Sequence, residues 1–406
     1  MRILWLCKKF PHPSSDGETL TIFNRTKAMA KAGQIIDLLY MDTIGHTRSL
    51  SLLEASWIKQ YNNVHSVKVN NRMTVIKTVK NLFTDNSYHV ERFISQEFEV
   101  KLKELFEQNV YDLVVFETMY LSSYTDLIRT LAPTTKISCH SHNVEHKVLE
   151  NIAQNTSLGL KKWYLKLQAT RLKRHELAEL NKYDFLIPTT NSDKAIFKSY
   201  NLKIPCTTIS TSLDLSQYLK YPLTTTPDIK PELAFIGALD WTPNLEGILW
   251  FIEEVWTVIK TKIPNISLFV AGRNMPDYFD KYQEPGVNMV GEVFSAPNFM
   301  SKHDFLIMPV RSSSGIKVKV IESMALGRLV IGSKIGLDGI GVTDRVNVLL
   351  AETPEEYITQ INFCLENPLK ARQIQKNARL FAIENFDSDK NTDKLLSFYK
   401  ENNMSI

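Results

Sequence analysis

Residues 309–327, PVRSSSGIKVKVIESMALG, decide the fold of this chain. The residues just before them, 304–308 (DFLIM), predict a buried strand because polar residues and Pro309 bound a short apolar run. Three serines and Gly315 predict a turn after this strand. Residues 316–326 are apolar on almost every face of a helical period, which predicts a buried helix. Strand, turn and helix form one α/β unit, and the same order recurs along the chain.

Three charged residues, Lys317, Lys319 and Glu322, interrupt this apolar helix. Buried charges cost free energy unless they are paired or used. On a helix, Gly315, Lys319 and Glu322 fall at positions i, i+4 and i+7, so they line one edge. The Ser/Gly turn opens a helix whose first N–H groups lack intrahelical acceptors, which favours a bound anion. The alternative is a solvated ion pair between Lys319 and Glu322 at i, i+3 spacing.

Together with residues 332–341 (GSKIGLDGIG), this stretch resembles the donor-site segment of glycosyltransferase family 4, the retaining nucleotide-sugar transferases of GT-B fold. The shared pattern is a small-residue turn, glycine, a basic residue, lysine, a hydrophobic residue and glutamate, followed by a small-residue helix. The resemblance implies a nucleoside-diphosphate sugar as the substrate, and neither a metal nor another cofactor. It places the diphosphate on Arg311, Lys317, Lys319 and the amides of Gly315 and Ile316, and the ribose on Glu322.

Two positions depart from the family pattern. Many members carry a second acidic residue eight positions before the glutamate, where it contacts the donor sugar, and this chain has Ser314 there. Many also carry an arginine after the first strand of the donor domain, at the position of Ala238. The missing charge could be supplied by Arg273, which follows a predicted strand at residues 267–271 and Gly272. Arg273 is therefore a candidate donor ligand, and a surface arginine is the alternative.

Length and composition predict a soluble protein of two domains. A chain of 406 residues is long enough for two α/β domains of about 200 residues each. The hydrophobic content of 44% and the charged content of 23% are ordinary for globular proteins. The N-terminus has no signal peptide, and no apolar stretch approaches the roughly 18 residues of a membrane span. We therefore expect a cytoplasmic location and no nucleic-acid partner.

The first half alternates strands and helices, which predicts a parallel sheet. A strand at residues 3–7, a helix at 18–32 and a strand at 35–41 form one such unit. Loops at the carboxyl ends of parallel strands bind ligands. The loop at residues 8–17, KKFPHPSSDG, is such a loop, and the resemblance places it near the donor sugar or the acceptor. Gly17 could let the backbone approach a ligand closely or could simply permit the turn.

Three histidines follow a later strand of this half, predicted at residues 136–140. His140, His142 and His146 suggest a metal cluster, but no cysteine or aspartate completes a tetrahedral set, so no metal is predicted. The tetrapeptide HNVE, which begins at His142, is typical of one branch of family 4. In that branch the histidine faces the anomeric carbon, so the resemblance implies His142 as a catalytic residue; helix capping is the alternative. Glu117, at the end of another predicted strand, is a weaker candidate.

A basic amphipathic helix is predicted at residues 158–175. The stretch contains six lysines and arginines and no acidic residue, and Leu160, Trp163, Tyr164 and Leu167 recur at helical spacing. Such a helix can lie on an anionic membrane surface. It can equally pack its apolar stripe on the first domain and leave its lysines in water. The first 215 residues carry 28 basic against 21 acidic residues, which favours an anionic partner in this half.

A linker rich in proline and threonine, residues 219–231, marks the domain boundary. We predict an acceptor-side domain at residues 1–215, a donor domain at 216–385 and a C-terminal helix at 386–406 that returns to the first domain. The predicted fold is α/β of the GT-B class, with two Rossmann-like parallel-sheet domains facing across a cleft.

The function implied by the resemblance is retaining glycosyl transfer from a nucleoside-diphosphate sugar to a hydroxyl of a glycan or lipid-linked acceptor, in surface-polysaccharide or lipid-linked glycan synthesis. The catalytic candidates are His142, Lys319 and Arg311. A nucleotide-sugar epimerase would keep the donor site but needs further acid and base residues. A two-lobed sugar-binding protein would need an export signal. A Rossmann dehydrogenase is not expected, because no GxGxxG follows a predicted strand.

Overall fold

The computed structural model describes residues 1–12, 17–43, 55–72, 74–157, 159–223, 228–312 and 315–404. The chain divides into two compact units. The first unit consists of Met1–Leu213 together with Ser388–Ile406, and the second consists of Asp214–Asp387. Each unit is an α/β domain built around its own sheet.

The first unit contains, within the described residues, a six-stranded parallel sheet in the order β3-β2-β1-β4-β5-β6. Its strands are β1 (Arg2–Cys7), β2 (Ile35–Thr43), β3 (Asn63–Val69), β4 (Leu113–Phe116), β5 (Lys136–Ser141) and β6 (Phe185–Pro188). Its helices are α1 (Gly17–Lys31), α2 (Ala55–Ile58), α3 (Val75–Leu82), α4 (Tyr88–Glu91), α5 (Gln96–Gln108), α6 (Thr125–Leu131), α7 (Glu145–Gln154), α8 (Gly159–Leu180) and α9 (Asn191–Ser199), with a 3₁₀ helix at Met119–Tyr124.

The second unit contains, across its described ranges, another six-stranded parallel sheet, in the order β12-β11-β10-β7-β8-β9. Its strands are β7 (Glu232–Ile236), β8 (Ser267–Ala271), β9 (Val287–Gly291), β10 (Phe305–Met308), β11 (Leu329–Gly332) and β12 (Leu349–Leu350). Its helices are α10 (Ser216–Leu219), α11 (Thr242–Trp250), α12 (Thr257–Lys262), α13 (Ala296–Ser301), α14 (Val318–Ala325), α15 (Pro354–Glu366) and α16 (Pro368–Phe386), with a π-helix at Phe251–Trp256 and a 3₁₀ helix at Asp277–Tyr282.

The last helix, α17 (Ser388–Glu401), belongs to the first unit and packs beside α1. Its buried residues Leu395 and Tyr399 join the apolar cluster on one face of the first sheet. Successive residues of β1 alternate between the two faces, so Leu4 and Leu6 lie in one cluster and Trp5 lies in the other. Helices cover both faces, which explains why the inner strands are continuously apolar.

Both sheets reverse their strand order at one point, between β1 and β4 in the first unit and between β7 and β10 in the second. In open parallel sheets the connections from the two strands at such a point leave toward opposite faces, and ligands bind in the crevice outside the carboxyl ends. Glu117 directly follows β4, and Pro309, the first residue of the 309–327 segment, directly follows β10. The topology therefore places the motifs singled out in the sequence at the two switch points.

Two local features of the fold are not visible in the apolar pattern. Cys206 forms an isolated parallel bridge with Leu186 of β6, outside the named strands. Helix α11 begins at Thr242, so Pro243 occupies its first turn, where a missing N–H costs nothing. The same helix passes through the π-helical turn at Phe251–Trp256, which the apolar period does not reveal.

No helix in the described ranges has both the length and the apolar character needed to cross a membrane.

Close packing at the carboxyl ends of β7 and β8 makes Gly272 a sensitive position. A Cβ atom there would lie 2.0 Å from the carbonyl oxygen of Gly237. The backbone would have to move, so we expect Gly272→Ala to destabilise the second unit by about 3 kcal/mol. Denaturant unfolding followed by tryptophan fluorescence measures this change.

Gly159, the first residue of α8, is the matched control for Gly272. A Cβ atom on Gly159 meets no atom within 4 Å, so Gly159→Ala should leave stability unchanged or slightly raised. Equal unfolding midpoints for Gly272→Ala and the unmodified protein would contradict the packing argument.

Candidate active site

The helix after β10 begins later than the sequence predicts. The predicted helix from Ile316 instead begins at Val318, with Lys317 as its N-cap residue in an extended conformation. Gly315 has a φ of 76°, a left-handed conformation that favours glycine. The left-handed Gly315 and the extended Lys317 therefore delay the start of the helix until Val318.

Lys317 folds back onto this turn. Its Nζ donates to the carbonyl oxygen of Gly315 at 2.5 Å, and its side chain is buried. Burial lowers the pKa of the Lys317 ammonium, while the charge of Asp338 acts in the opposite direction. A buried cation is thus held at the start of α14, where it adds to the positive potential of the helix N-terminus.

Glu322 lies one turn further along α14 and is only 5% exposed. Its Oε1 accepts a hydrogen bond from the Tyr218 hydroxyl at 2.6 Å. Its Oε2 lies 2.6 Å from Lys319 Nζ, an ion-pair contact that lacks hydrogen-bond geometry, so Oε2 is a buried oxygen without a hydrogen bond within the described residues. The Lys319–Glu322 pair therefore exists, but on a buried carboxylate and not on a solvated face. A hydroxyl group arriving at Oε2 would satisfy it.

The remaining donor-site candidates lie around the same edge of the second sheet. Arg311 is exposed, and its guanidinium carbon lies 4.7 Å from the centre of the Trp250 ring, a cation–π arrangement. Arg273 is exposed after β8, and its carbonyl oxygen accepts from the amide of Leu239 at 3.1 Å. Ile316 is partly exposed beside Gly315. Ser314 lies outside the described residues.

In the first unit, Glu117 is the centre of a side-chain network at the switch point of the sheet. This fully buried carboxylate lies 2.9 Å from His142 Nε2 through Oε2. Its Oε1 lies 3.0 Å from His140 Nδ1 and 3.5 Å from Arg25 Nη1, and it accepts from Trp5 Nε1 at 3.2 Å. One carboxylate therefore contacts residues of α1, β1, β5 and the loop after β5.

The surroundings of Glu117 keep it ionised. Burial alone would raise its pKa, but His140, His142 and the buried Arg25 together hold the pKa of Glu117 well below its usual range. Burial lowers the pKa of His140, while its contact with Glu117 acts in the opposite direction. His140 Nε2 lies 3.1 Å from the hydroxyl of Tyr399 on α17. The C-terminal helix thereby contributes to the same buried network.

Glu117 also fixes which nitrogen of His142 carries a proton. An ionised carboxylate only accepts hydrogen bonds, so His142 Nε2 must be the donor. The ring is 14% exposed, and Nδ1 has no hydrogen bond within the described part of the chain. Nδ1 is therefore the atom that a ligand would meet, as an acceptor in the neutral ring and as a donor in the protonated one.

The three histidines face different partners. His146 contacts Glu176 through Nδ1 and Tyr200 through Nε2, whereas His140 and His142 share Glu117. Among the described residues no group of three or more histidine, cysteine, aspartate and glutamate side chains is arranged to hold a metal ion. Each of the three imidazole rings therefore has a carboxylate as a hydrogen-bond partner.

Gly17 is the first residue of α1, and its carbonyl oxygen accepts from Thr21 Oγ1 at 2.7 Å. Lys8, at the start of the same loop, lies 3.1 Å from Glu18. Residues 13–16 of this loop lie outside the described residues. The role of Gly17 at a ligand stays a prediction.

Sequence reasoning missed most of the partners that support the candidates. Tyr218, Arg25 and Tyr399 are far in sequence from the carboxylates and rings that they contact. Glu117 was the one residue that the sequence could have used to find this network. An acidic residue directly after an apolar strand indicates the carboxyl edge of the sheet, but it does not predict which side chains contact the carboxylate.

The chain is similar to known proteins in part of its sequence and in its fold. Residues 230–367, inside the second unit, match the family model described as glycosyl transferases group 1. The solved structure of Alr3699/HepE from Anabaena in complex with UDP aligns with 99% of this chain and 100% of its own, at 15% identity and a TM-score of 0.66. Sucrose-phosphate synthase from Thermosynechococcus elongatus aligns with 99% of both chains, at 17% identity and a TM-score of 0.66. The predicted GT-B fold is confirmed.

A relative from Klebsiella pneumoniae, described as an uncharacterized 44.6 kDa protein in the cps region, is 23% identical over 419 aligned positions. The alignment covers 99% of this chain and 100% of the relative. The group 1 match agrees with the wider glycosyltransferase resemblance, while family 4 and the branch with the HNVE motif stay predictions.

The first prediction from this geometry concerns acid stability. Because the pKa of Glu117 is lowered in the folded state, its stabilising contribution is complete above the unfolded value, near 4.3, and is lost as the pH falls through the folded value. Glu117→Gln leaves the buried Arg25 without an anionic partner, so we expect a loss of about 3–5 kcal/mol at pH 7. The difference from the unmodified protein should shrink below about pH 4. Denaturant unfolding across this pH range measures it.

Glu107→Gln is the control, since Glu107 is an exposed carboxylate on α5. It should leave the stability unchanged at every pH tested. A Glu117→Gln protein as stable as the parent at pH 7 would show that the carboxylate does not stabilise the first unit.

The second prediction concerns the tautomer of His142. In ¹⁵N NMR spectra of histidine-labelled protein, its neutral ring should be protonated at Nε2. Glu117→Gln replaces an oxygen that only accepts with an amide that can also donate, so a population protonated at Nδ1 should appear.

The His142→Gln spectrum assigns the signal. Glu145→Gln changes the carboxylate of the first residue of α7, which makes no described contact with His142, and it should leave the tautomer unaltered. A ring of the parent protein protonated at Nδ1 would contradict the assignment.

Proposed function

We propose that this protein transfers a glycosyl group from a nucleoside-diphosphate sugar to a hydroxyl group of an acceptor. The observation that carries the proposal is the buried Glu322 carboxylate with an oxygen that lacks a hydrogen bond. It lies one helical turn beyond a Gly315–Lys317 turn at the switch point of the second sheet. An acidic residue in this position can accept hydrogen bonds from the ribose hydroxyls of a nucleotide, while the turn receives its phosphates.

The nucleoside diphosphate is proposed to be UDP. Support comes from the Anabaena protein of the same fold, whose structure is a complex with UDP. Lys317, Lys319 and Arg311 would neutralise the diphosphate, and the amides of Gly315 and Ile316 would donate to its oxygens. Arg273, at the end of β8, is a further donor ligand in this proposal, and Ser314 is assigned to the donor sugar on the family pattern alone.

The chemistry proposed is transfer with retention of the anomeric configuration. As the bond between the sugar and the diphosphate breaks, negative charge develops on the departing oxygen. Fixed cations and amide dipoles stabilise that charge without reorganising, which lowers the barrier. In this proposal they take the role that a divalent metal has in other transferases. The acceptor hydroxyl attacks from the face that the diphosphate leaves, and its proton passes to a phosphate oxygen.

His142 is proposed to hydrogen-bond the donor sugar through Nδ1, with Glu117 as the positioning residue that holds Nε2. A ring fixed by a buried carboxylate loses little rotational freedom when the sugar binds, which favours an ordered reactive complex. The support for this role is the geometry at Glu117 together with the HNVE resemblance.

The acceptor is proposed to be a glycan or a lipid-linked saccharide of surface-polysaccharide synthesis. The relative from the cps region of Klebsiella pneumoniae supports this assignment. Contact of residues 158–175 with an anionic membrane and a cytoplasmic location belong to the same proposal.

Labelled UDP-, GDP-, ADP- and dTDP-sugars test the function. Incubation with the purified protein should release UDP from a UDP-sugar by slow hydrolysis, and faster when acceptor glycans are added. An epimerised sugar nucleotide without transfer would contradict glycosyl transfer and favour an epimerase. Binding of no nucleotide at all would contradict both.

The donor site makes its own prediction. Glu322→Ala should weaken UDP binding about 10- to 100-fold, because hydrogen bonds to a charged acceptor contribute about 1.5–3 kcal/mol. Isothermal titration calorimetry measures the affinity. Glu355→Ala removes an exposed carboxylate from α15 in the same unit and should leave the affinity unchanged. Unaltered UDP affinity in Glu322→Ala would refute the ribose role of Glu322.

A further inference from the structure

The positive charge of this chain is concentrated in two segments of the first unit. Residues 70–84 contain three lysines and arginines, residues 151–175 contain six, and neither segment contains an acidic residue. The rest of the chain has 39 basic against 44 acidic residues. These two segments therefore account for more than the whole net charge of +4.

The fold brings the two segments together. Asn81, near the end of α3, is buried against α8, where its Oδ1 accepts from Gln168 Nε2 at 2.7 Å. Arg171 Nη1 donates to the carbonyl oxygen of Asn81 at 2.8 Å, and Nη2 donates to that of Leu82 at 3.2 Å. A guanidinium on the last carbonyl groups of a helix caps it and suits its dipole. The C-terminal end of α3 is thus fixed on α8 by buried hydrogen bonds.

Large apolar side chains are exposed on both segments. Phe83, directly after α3, is 87% exposed, and Val79, four residues earlier, is 48% exposed. On α8, Leu160 is 87% exposed and Trp163 is 56% exposed. The apolar stripe of α8 packs on the first unit only in part. Tyr164 and Leu167 are partly buried, whereas Leu160 and Trp163 are exposed. Exposed apolar groups gathered in this way are typical of an interaction site.

We propose that the α3–α8 surface docks on an anionic lipid bilayer. This surface consists of Val79, Phe83, Leu160 and Trp163 with Lys77, Lys80, Lys161, Lys162 and Lys166. The lysines are attracted to anionic headgroups, and the aromatic and aliphatic groups insert at the boundary between headgroups and acyl chains. Charge complementarity thus identifies the partner as a polyanionic surface, and the apolar groups identify that surface as a bilayer.

A nucleic acid is the competing polyanion, and the composition of the surface disfavours it. Nucleic acids would be neutralised by the lysines but offer no apolar phase for Leu160, Val79 and Phe83. Arginine is the usual residue for planar recognition of phosphate. Of the arginines in these segments, Arg171 donates to carbonyl groups of α3 and Arg174 lies 3.8 Å from Asp85, so lysines supply most of the exposed charge.

Docking extends the proposed function, since a transferase held at a bilayer would meet a lipid-linked acceptor. Its test does not require any glycosyl transfer. Failure of the donor-sugar assays would leave the α3–α8 surface untouched, and failure of vesicle binding would leave the donor site untouched.

The experiment is vesicle flotation with the full-length protein. Vesicles of phosphatidylcholine with about one-third phosphatidylglycerol should carry the protein upward, and vesicles of phosphatidylcholine alone should not. Changing Lys161, Lys162 and Lys166 together to glutamine should weaken binding about 100-fold, at roughly fivefold for each lysine near an anionic surface. Added salt should weaken the parent protein in the same direction.

A double change of Phe83 and Trp163 to serine tests the apolar contribution and should weaken binding at least tenfold without altering the charge. Matched controls have the same chemistry elsewhere. Changing Lys194, Lys198 and Lys203 to glutamine removes three charges from α9 and the loop after it, and Val110→Ser removes an apolar side chain that is 85% exposed. Both controls should bind vesicles as the parent does, and circular dichroism verifies that every variant is folded.

Absence of flotation on anionic vesicles would overturn the proposal. A nucleic acid would be favoured by a different result. In that case the lysine variant would lose vesicle binding, the serine variant would keep it, and the parent protein would bind polyuridylate as tightly as anionic vesicles. A loss of binding that is as large in the controls would show that the surface lies elsewhere.

Discussion

A carboxylate buried at the carboxyl edge of a parallel sheet must be surrounded by donors, and the structure depends on meeting that constraint at Glu117. Arg25, His140, His142 and Trp5 all converge on this one group. They come from α1, β1, β5 and the loop that follows β5, so satisfying the charge also fixes these elements against each other. Tyr399 extends the network to α17, which joins the last helix of the chain to the first sheet.

The second unit places a carboxylate at the corresponding edge but satisfies it only in part. Glu322 has Tyr218 on one oxygen and an ion-pair contact with Lys319 on the other, which has no hydrogen bond. In the function proposed above, a ribose hydroxyl would complete the hydrogen bonding of Oε2. We therefore propose different roles for the two carboxylates, with Glu117 holding side chains in place and Glu322 binding a ligand.

The α3–α8 surface differs from the Glu117 network in the exposure of its charges. Its lysines are mostly exposed and its apolar groups face water, whereas the Glu117 carboxylate is fully buried and contacts four donor side chains. Exposed lysines act at long range and are screened by salt, which suits attraction to an extended anionic surface. Buried pairs act at short range and set geometry. The first unit therefore carries both a buried hydrogen-bond network and an exposed basic surface, which we propose acts by electrostatic attraction.

The sequence by itself determined the strands, because apolar runs such as 112–116 and 304–308 have no other stable place than the inside of a sheet covered on both faces. It also singled out Glu322 and His142 as candidates, since a charged residue within an apolar helix and a histidine after a strand are visible locally. It misjudged the start of α14, where the left-handed Gly315 and the extended Lys317 delay the helix. Only the tertiary structure decided which groups satisfy the buried charges, because Tyr218 and Glu322, or Tyr399 and His140, are separated by about a hundred residues or more. The local sequence pattern predicts which residues are buried and whether a segment is a helix or a strand. Hydrogen-bond partners depend instead on how elements distant in sequence pack together.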